Sequence, residues 1–164
     1  MKKSVVFLLA IILGMGTGLL VSLVFQITEV TDHSMLPAYE NGDQVLVSRL
    51  AFAGKKGPQQ GDVILMKNKI YAVSGENTVM LKRVIGVEGD RILITEGQVY
   101  VNNQKLDEEY VFTQGISGDM EEIQIPAGKI FVMGDNRAAS TDSRHESVGL
   151  VDEEDLLGKV ILKW

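Results

Sequence analysis

Arg91-Ile92-Leu93-Ile94-Thr95-Glu96-Gly97-Gln98-Val99-Tyr100-Val101-Asn102-Asn103 is the stretch whose pattern decides the fold class. Two short apolar, strand-forming runs flank Glu96-Gly97, and a second two-residue turn signal, Asn102-Asn103, closes the second run. The pattern predicts an antiparallel meander. Outward from it, Gln44 to Val47, Val63 to Met66, Val79 to Val87, Lys129 to Met133 and Lys159 to Leu162 repeat the strand texture between Gly and Asp residues. Asp152-Glu153-Glu154-Asp155, followed by Leu156-Leu157 and Gly158, predicts a short helical turn. Its acids would sit at the positive end of the dipole, with glycine as the stop. Residues 53–58 and Gly115 to Asp119 read as loops, and the chain has no internal repeat. The expected fold is mainly β: a small antiparallel β-sheet domain over residues 26–164.

The N-terminus has a different texture. Val5 to Phe25 runs 21 positions without a charge, and 16 of them are apolar. As a helix the segment spans about 31 Å, close to the thickness of a bilayer hydrocarbon core. Lys2 and Lys3 precede it, and Glu29 and Asp32 follow. The positive-inside rule then predicts residues 1–4 in the cytoplasm, one transmembrane helix at 5–25, and the β domain outside. A cleaved signal peptide is the rival reading, but the apolar run is long for one and no clear Ala-x-Ala site follows. The Gly14 to Gly18 spacing is too common to carry weight.

Composition removes several classes of function. Of 164 residues none is cysteine, which excludes disulfides, thiolate metal sites and cysteine nucleophiles. Two histidines, His33 and His145, make a multi-histidine metal centre improbable, and no cofactor is expected. The net charge is −6, and without Lys2 and Lys3 it is −8 (14 basic against 22 acidic residues). Such a balance speaks against nucleic acid as a partner.

Three features can carry chemistry. Ser34-Met35-Leu36-Pro37 lies nine residues past Phe25, near the membrane surface, and by itself reads as a turn with a solvated serine. Lys82 sits in a strand whose alternation puts Met80, Lys82 and Val84 on one face. Apolar neighbours strip its solvation, and a neutral amine is a usable general base. A lysine that snorkels to water is the alternative. The third feature, Gly134 to Arg144, is dense in Gly, Asp, Asn, Ser and Arg. Its i,i+2 pairs, Asp135 with Arg137 and Asp142 with Arg144, suggest a self-braced loop. A Ser-His-Asp triad of Ser34, His145 and Asp142 competes with a Ser34–Lys82 dyad. His33 is a poor base for Ser34, because adjacent strand residues face opposite ways. We prefer Ser34 with Lys82.

With these pieces in order, the sequence resembles the type I signal peptidases of the prokaryotic Ser-Lys type. The match runs through the apolar segment, Ser34-Met35-Leu36-Pro37, Gly61-Asp62-Val63-Ile64, Lys82 to Asp90, Gly134-Asp135-Asn136-Arg137 and Ser140-x-Asp142-Ser143-Arg144. The resemblance implies a membrane-anchored serine endopeptidase with a β-rich core that removes signal peptides after small residues at −1 and −3. It implies Ser34 as nucleophile, Lys82 as base and Ser140 as the hydroxyl that orients the lysine. Asp142 and Arg144 would support the site, with Asp135 and Arg137 less directly. Lysine at position 82, where the endoplasmic reticulum branch has histidine, fits the prokaryotic type, and for a chain near the short end of the family the resemblance implies that the large extra domain of some Gram-negative members should be absent. Substrate would lie extended against Thr28 to Asp32, Val30 included, with Met35, Met80 and Leu81 as further walls. The implied partners are signal peptides of exported preproteins and the bilayer. One departure concerns the oxyanion. Where some members place a serine donor two residues before the nucleophile, this chain has Asp32: either Asp32 points away and the Ser34 backbone N–H serves alone, or another group helps. Two other classes share parts of the pattern: LexA-like self-cleaving proteins, which carry a soluble DNA-binding N-terminus, and anchored β modules without catalysis.

Overall fold

The computed structural model describes residues 2–54, 57–67, 79–111 and 118–164. Lys55 and Lys56 of the first expected loop, and 115–117 of the second, lie outside the described residues. Helix α1 (Lys2–Val24) opens the chain, and Val5–Val24 is long and apolar enough to cross a membrane. Its apolar side chains lie exposed on every side. The helix ends one residue short of the apolar run. Phe25 belongs to the next element, β1 (Phe25–Glu29), which pairs antiparallel with β2 (Gln44–Ser48) from Phe25 opposite Ser48 to Glu29 opposite Gln44.

The other strands are β3 (Val63–Lys67), β4 (Val79–Gly86), β5 (Arg91–Thr95), β6 (Gln98–Val101), β7 (Gln104–Lys105), β8 (Met120–Gln124), β9 (Lys129–Met133), β10 (Val151–Asp152) and β11 (Leu156–Lys163). They form a seven-stranded sheet, β1-β2-β11-β3-β4-β9-β10, and a four-stranded sheet, β7-β6-β5-β8. Every pairing is antiparallel. The mainly β expectation holds. The meander forms as its turns require: Glu96, Gly97, Asn102 and Asn103 all take positive φ, as two-residue hairpin turns demand, and Thr95 faces Gln98. Ile85, Ile92, Ile125 and Phe131 are fully buried or nearly so, and join the two sheets in one core cluster.

The C-terminal segment differs from its expectation. Only Glu153–Asp155 forms a single 3₁₀ turn, and Gly158 does not stop it. Gly158 instead lies inside β11 at a register shift, with φ 154, where a Cβ would overlap the Ser48 carbonyl. That close approach lets β11 insert between β2 and β3. Adjacent β4 and β9 then set up the site. Arg83 faces Met133 and Val84 faces Val132, so the loop leaving β9 starts beside Lys82.

Candidate active site

Ser34 sits in the turn that follows β1, and it is 4% exposed; Lys82, in the middle of β4, is 1% exposed. Lys82 Nζ lies 2.7 Å from Ser34 Oγ and donates to the Leu81 carbonyl at 3.0 Å. The amine does not snorkel. Burial pushes its pKa below the ordinary lysine value, although the carboxylates of Asp32, Asp142 and Asp135 pull it upward, and Arg144 adds to the lowering. This is the environment in which an amine can lose its proton close to physiological pH.

The loop after β9 holds the nucleophile's backbone. Asn136 N–H donates to the Ser34 carbonyl at 2.9 Å, and Asn136 Nδ2 donates to the His33 carbonyl at 3.0 Å. Asp142, fully buried, accepts from Arg144 Nε at 2.8 Å, from Arg144 Nη2 at 2.9 Å and from Gly134 N–H at 3.0 Å. Burial would raise the Asp142 carboxyl, but Arg144 and the Gly134 N–H together hold it below the usual value. The Asp142–Arg144 brace therefore forms as its spacing suggested.

The Asp135–Arg137 brace does not. Asp135 takes a bidentate pair from Arg83, at 2.8 and 2.6 Å, and Arg137 donates to Glu108 at 3.0 and 2.5 Å. The physical reason lies in the sheet register, which brings Arg83 of β4 alongside the start of the loop, nearer to Asp135 than a residue two positions on. Burial lifts the Asp135 carboxyl above its ordinary value despite Arg83. The Arg83 guanidinium also lies 4.1 Å from the centroid of the Tyr110 ring. Arg83, Glu108, Tyr110 and the backbone role of Asn136 were missed from sequence. Arg83 had a usable signal, a charge on an apolar strand; nothing local marks Glu108.

Other expected residues are placed as follows. Ser140 is buried, and its Oγ has no hydrogen-bond partner among the described residues; the Lys82 amine is held by Ser34 and Leu81 instead. Val30, Asp32 and Leu81 line an open cleft with Thr28, Glu29, Thr31, Leu65 and Val79. Met35 and Met80 do not line it; both are packed in the core, Met35 with no exposure. His145 is exposed, and its Nδ1 accepts from the Asp142 backbone N–H at 3.3 Å while the Asp142 carboxylate is taken by Arg144, so the triad of Ser34, His145 and Asp142 is not assembled. Asp32 neither points away nor stands idle. Its Oδ1 accepts from the Ser34 N–H at 2.9 Å and from the Ser34 hydroxyl at 2.8 Å. Among the described residues no group of three His, Asp or Glu side chains is placed to hold a metal ion.

The profile of the family described as signal peptidase, peptidase S26, matches residues 1–164. Signal peptidase I U of Bacillus subtilis (strain 168) is 37% identical over 134 residues, 76% of this chain and 67% of that one. Signal peptidase I of Bacillus caldolyticus is 36% identical over 155 residues, 86% of this chain and 80% of that one. The crystal structure of a signal peptidase I from Enterococcus faecalis V583 superposes with a TM-score of 0.52 at 26% identity, covering 66% of this chain and 100% of that one.

Proposed function

The chain belongs to the signal peptidase family, peptidase S26, and from that premise we propose that α1 anchors it and that a Ser34–Lys82 dyad carries out its hydrolysis. It is a signal peptidase, a serine protease. A match over the full length replaces the two other classes, the self-cleaving repressor and the non-catalytic module.

The observation that carries the dyad is the 2.7 Å approach of a buried lysine amine to a buried serine hydroxyl. Neutral Lys82 takes the Ser34 proton as Oγ attacks the scissile carbonyl, and the carbonyl π electrons move onto oxygen. As the tetrahedral species collapses, the C–N bond breaks and the protonated lysine returns its proton to the leaving amine. Water, deprotonated by the same lysine, then cleaves the acyl-serine ester. The Ser34 N–H is the oxyanion donor on this reading. Asp142 and Arg144 brace the loop that pins Ser34, Ser140 packs beside them, and Asp135 and Arg137 tie that loop to Arg83 and Glu108.

The substrate would lie extended in the cleft, its small residues at −1 and −3 against Val30, Leu65, Val79 and Leu81. Residues 1–4 stay cytoplasmic, 5–25 cross the bilayer and 26–164 work outside, where a preprotein's own apolar segment crosses. The test is processing of a preprotein by the full chain reconstituted in lipid vesicles. Ser34→Ala and Lys82→Met each lose cleavage, and protease added outside right-side-out vesicles digests 26–164. Cleavage by either variant at the wild-type rate would sink the dyad.

A further inference from the structure

One carboxylate reaches the nucleophile twice. Asp32 Oδ1 accepts from both the backbone N–H and the hydroxyl of Ser34, at 2.9 and 2.8 Å. A carboxylate oxygen only accepts, so the serine proton lies on the Asp32 side. Lys82 Nζ, 2.7 Å from the same Oγ, must then be the donor in that contact. The hydrogen bonds run one way, from amine to hydroxyl to carboxylate. Attack needs the reverse polarity, with the serine O–H aimed at a lysine lone pair and the Ser34 N–H free for the oxyanion. Asp32 blocks both.

Resting on the Ser34–Lys82 reading, we propose that Asp32 is a latch that holds the dyad in a resting state, and that an extended substrate entering the cleft displaces it and so frees the hydroxyl and the N–H together. Asp32 is a positioning residue, acting through Ser34 and Lys82. Its setting suits a moving part. It is exposed, whereas Ser34 and Lys82 are buried, and it stands in the wall of the cleft that the substrate would occupy. Three carboxylates act on the Lys82 amine: Asp32, Asp142 and Asp135. Asp142 and Asp135 have no exposure and are tied to Arg144 and Arg83. Of the three, Asp32 is the one a ligand can push aside.

Displacement also changes the base. Arg144 and burial favour the neutral amine, and Asp142 and Asp135 favour the charged one, all from fixed positions. Glu29 adds a further carboxylate to the cleft. When Asp32 swings outward, the amine loses the exposed one of the three carboxylates that support its positive charge, and releases a proton. Substrate binding thereby produces the free base that the reaction needs.

The experiment measures kcat and KM against pH, from about pH 6 to pH 10, for the full chain in detergent micelles with an internally quenched peptide bearing alanine at −1 and −3. Asp32→Asn, Asp32→Gly and Asp32→Glu are compared with wild type, each with its thermal midpoint. In Asp32→Asn and Asp32→Gly the acid limb of kcat/KM moves to lower pH. A shift of half to one unit raises the rate below both limbs by about three- to tenfold. Asp32→Glu keeps the charge and the wild-type limb. A limb that stays or moves upward in whichever neutral variant keeps the wild-type midpoint overturns the latch, even where kcat falls, because that marks a structural role alone. Ser34→Ala in the same assay tells the two readings apart: its inactivity beside an unmoved Asp32→Asn limb ends the latch and leaves the dyad standing.

Discussion

Gly134 stands between the nucleophile and the loop that supports it, and Gly134→Ala tests how tightly the two are held. The Gly134 N–H donates to Asp142 at 3.0 Å, and two residues on, Asn136 N–H donates to the Ser34 carbonyl at 2.9 Å. A Cβ on Gly134 would overlap the Ser34 carbonyl oxygen and the Ser140 side chain. The Ser140 Oγ can rotate away, but the Ser140 Cβ and the Ser34 carbonyl oxygen are fixed by the backbone and cannot. Restoring ordinary van der Waals contact moves the Ser34 carbonyl, or the loop, by about 1 Å. A displacement of that size at a reacting group costs about 10²-fold in rate, and overpacking of this kind costs about 1–3 kcal/mol of stability. The assay is steady-state cleavage of the quenched peptide by the full chain, with thermal denaturation in parallel. We expect kcat to fall by about that factor while KM changes little, since Gly134 is not among the residues that line the cleft. A kcat within about twofold of wild type at an unchanged midpoint would refute the claim that residues 134–136 fix the nucleophile.

Three further outcomes follow from the buried charges. Lys82 has a folded pKa below its ordinary 10.5, mainly through burial, so between the two values the unfolded chain binds more protons and stability rises with pH. At pH 7, well below the unfolded value, burying this amine still costs stability, and Lys82→Met therefore raises the melting temperature by about 2–5 °C while abolishing cleavage; a lowered temperature would contradict this. Asp142 has its folded pKa held down, so its contribution is present above the unfolded carboxyl value and disappears as pH falls through the folded one. Asp142→Asn should flatten the acid side of a urea-midpoint profile and, by stranding Arg144, cost about 3 kcal/mol near neutrality; an unchanged acid side would show that Asp142 is not the titrating group. Glu108→Ala strands Arg137, whose side chain is 1% exposed, and should cost about 3 kcal/mol in urea denaturation. A loss below about 0.5 kcal/mol would mean that water replaces the partner.

What could be read from sequence was local. The Glu96-Gly97 and Asn102-Asn103 turns were legible because Gly and Asn reach positive φ readily, and Glu96 follows with Gly97. The desolvation of Lys82 followed from alternation, and the Asp142–Arg144 brace from spacing. Strand β1 was hidden because Phe25 and Ile27 continue the apolar run of the helix. Strand β8, Met-Glu-Glu-Ile-Gln, carries two acids on a sheet edge where packing asks for little. Gly158 looked like a helix stop, since only the placement of β11 between β2 and β3 explains its lack of a side chain. The partners of Asp135 and Arg137 come from β4 and from Glu108, 52 and 29 residues away. No window of sequence contains them. The orientation of Asp32 depends on the backbone turn at residues 32–34, which propensities do not specify.

The most direct measurement of the dyad is covalent trapping. The full chain in micelles is mixed with an acylating peptide ester carrying alanine at −1 and −3, quenched in acid and mapped by mass spectrometry. One acyl adduct is expected, on Ser34, whose rate of formation rises with pH as Lys82 loses its proton and which vanishes in Lys82→Met. An adduct on another residue, or labelling of Ser34 at the wild-type rate without Lys82, would contradict the dyad.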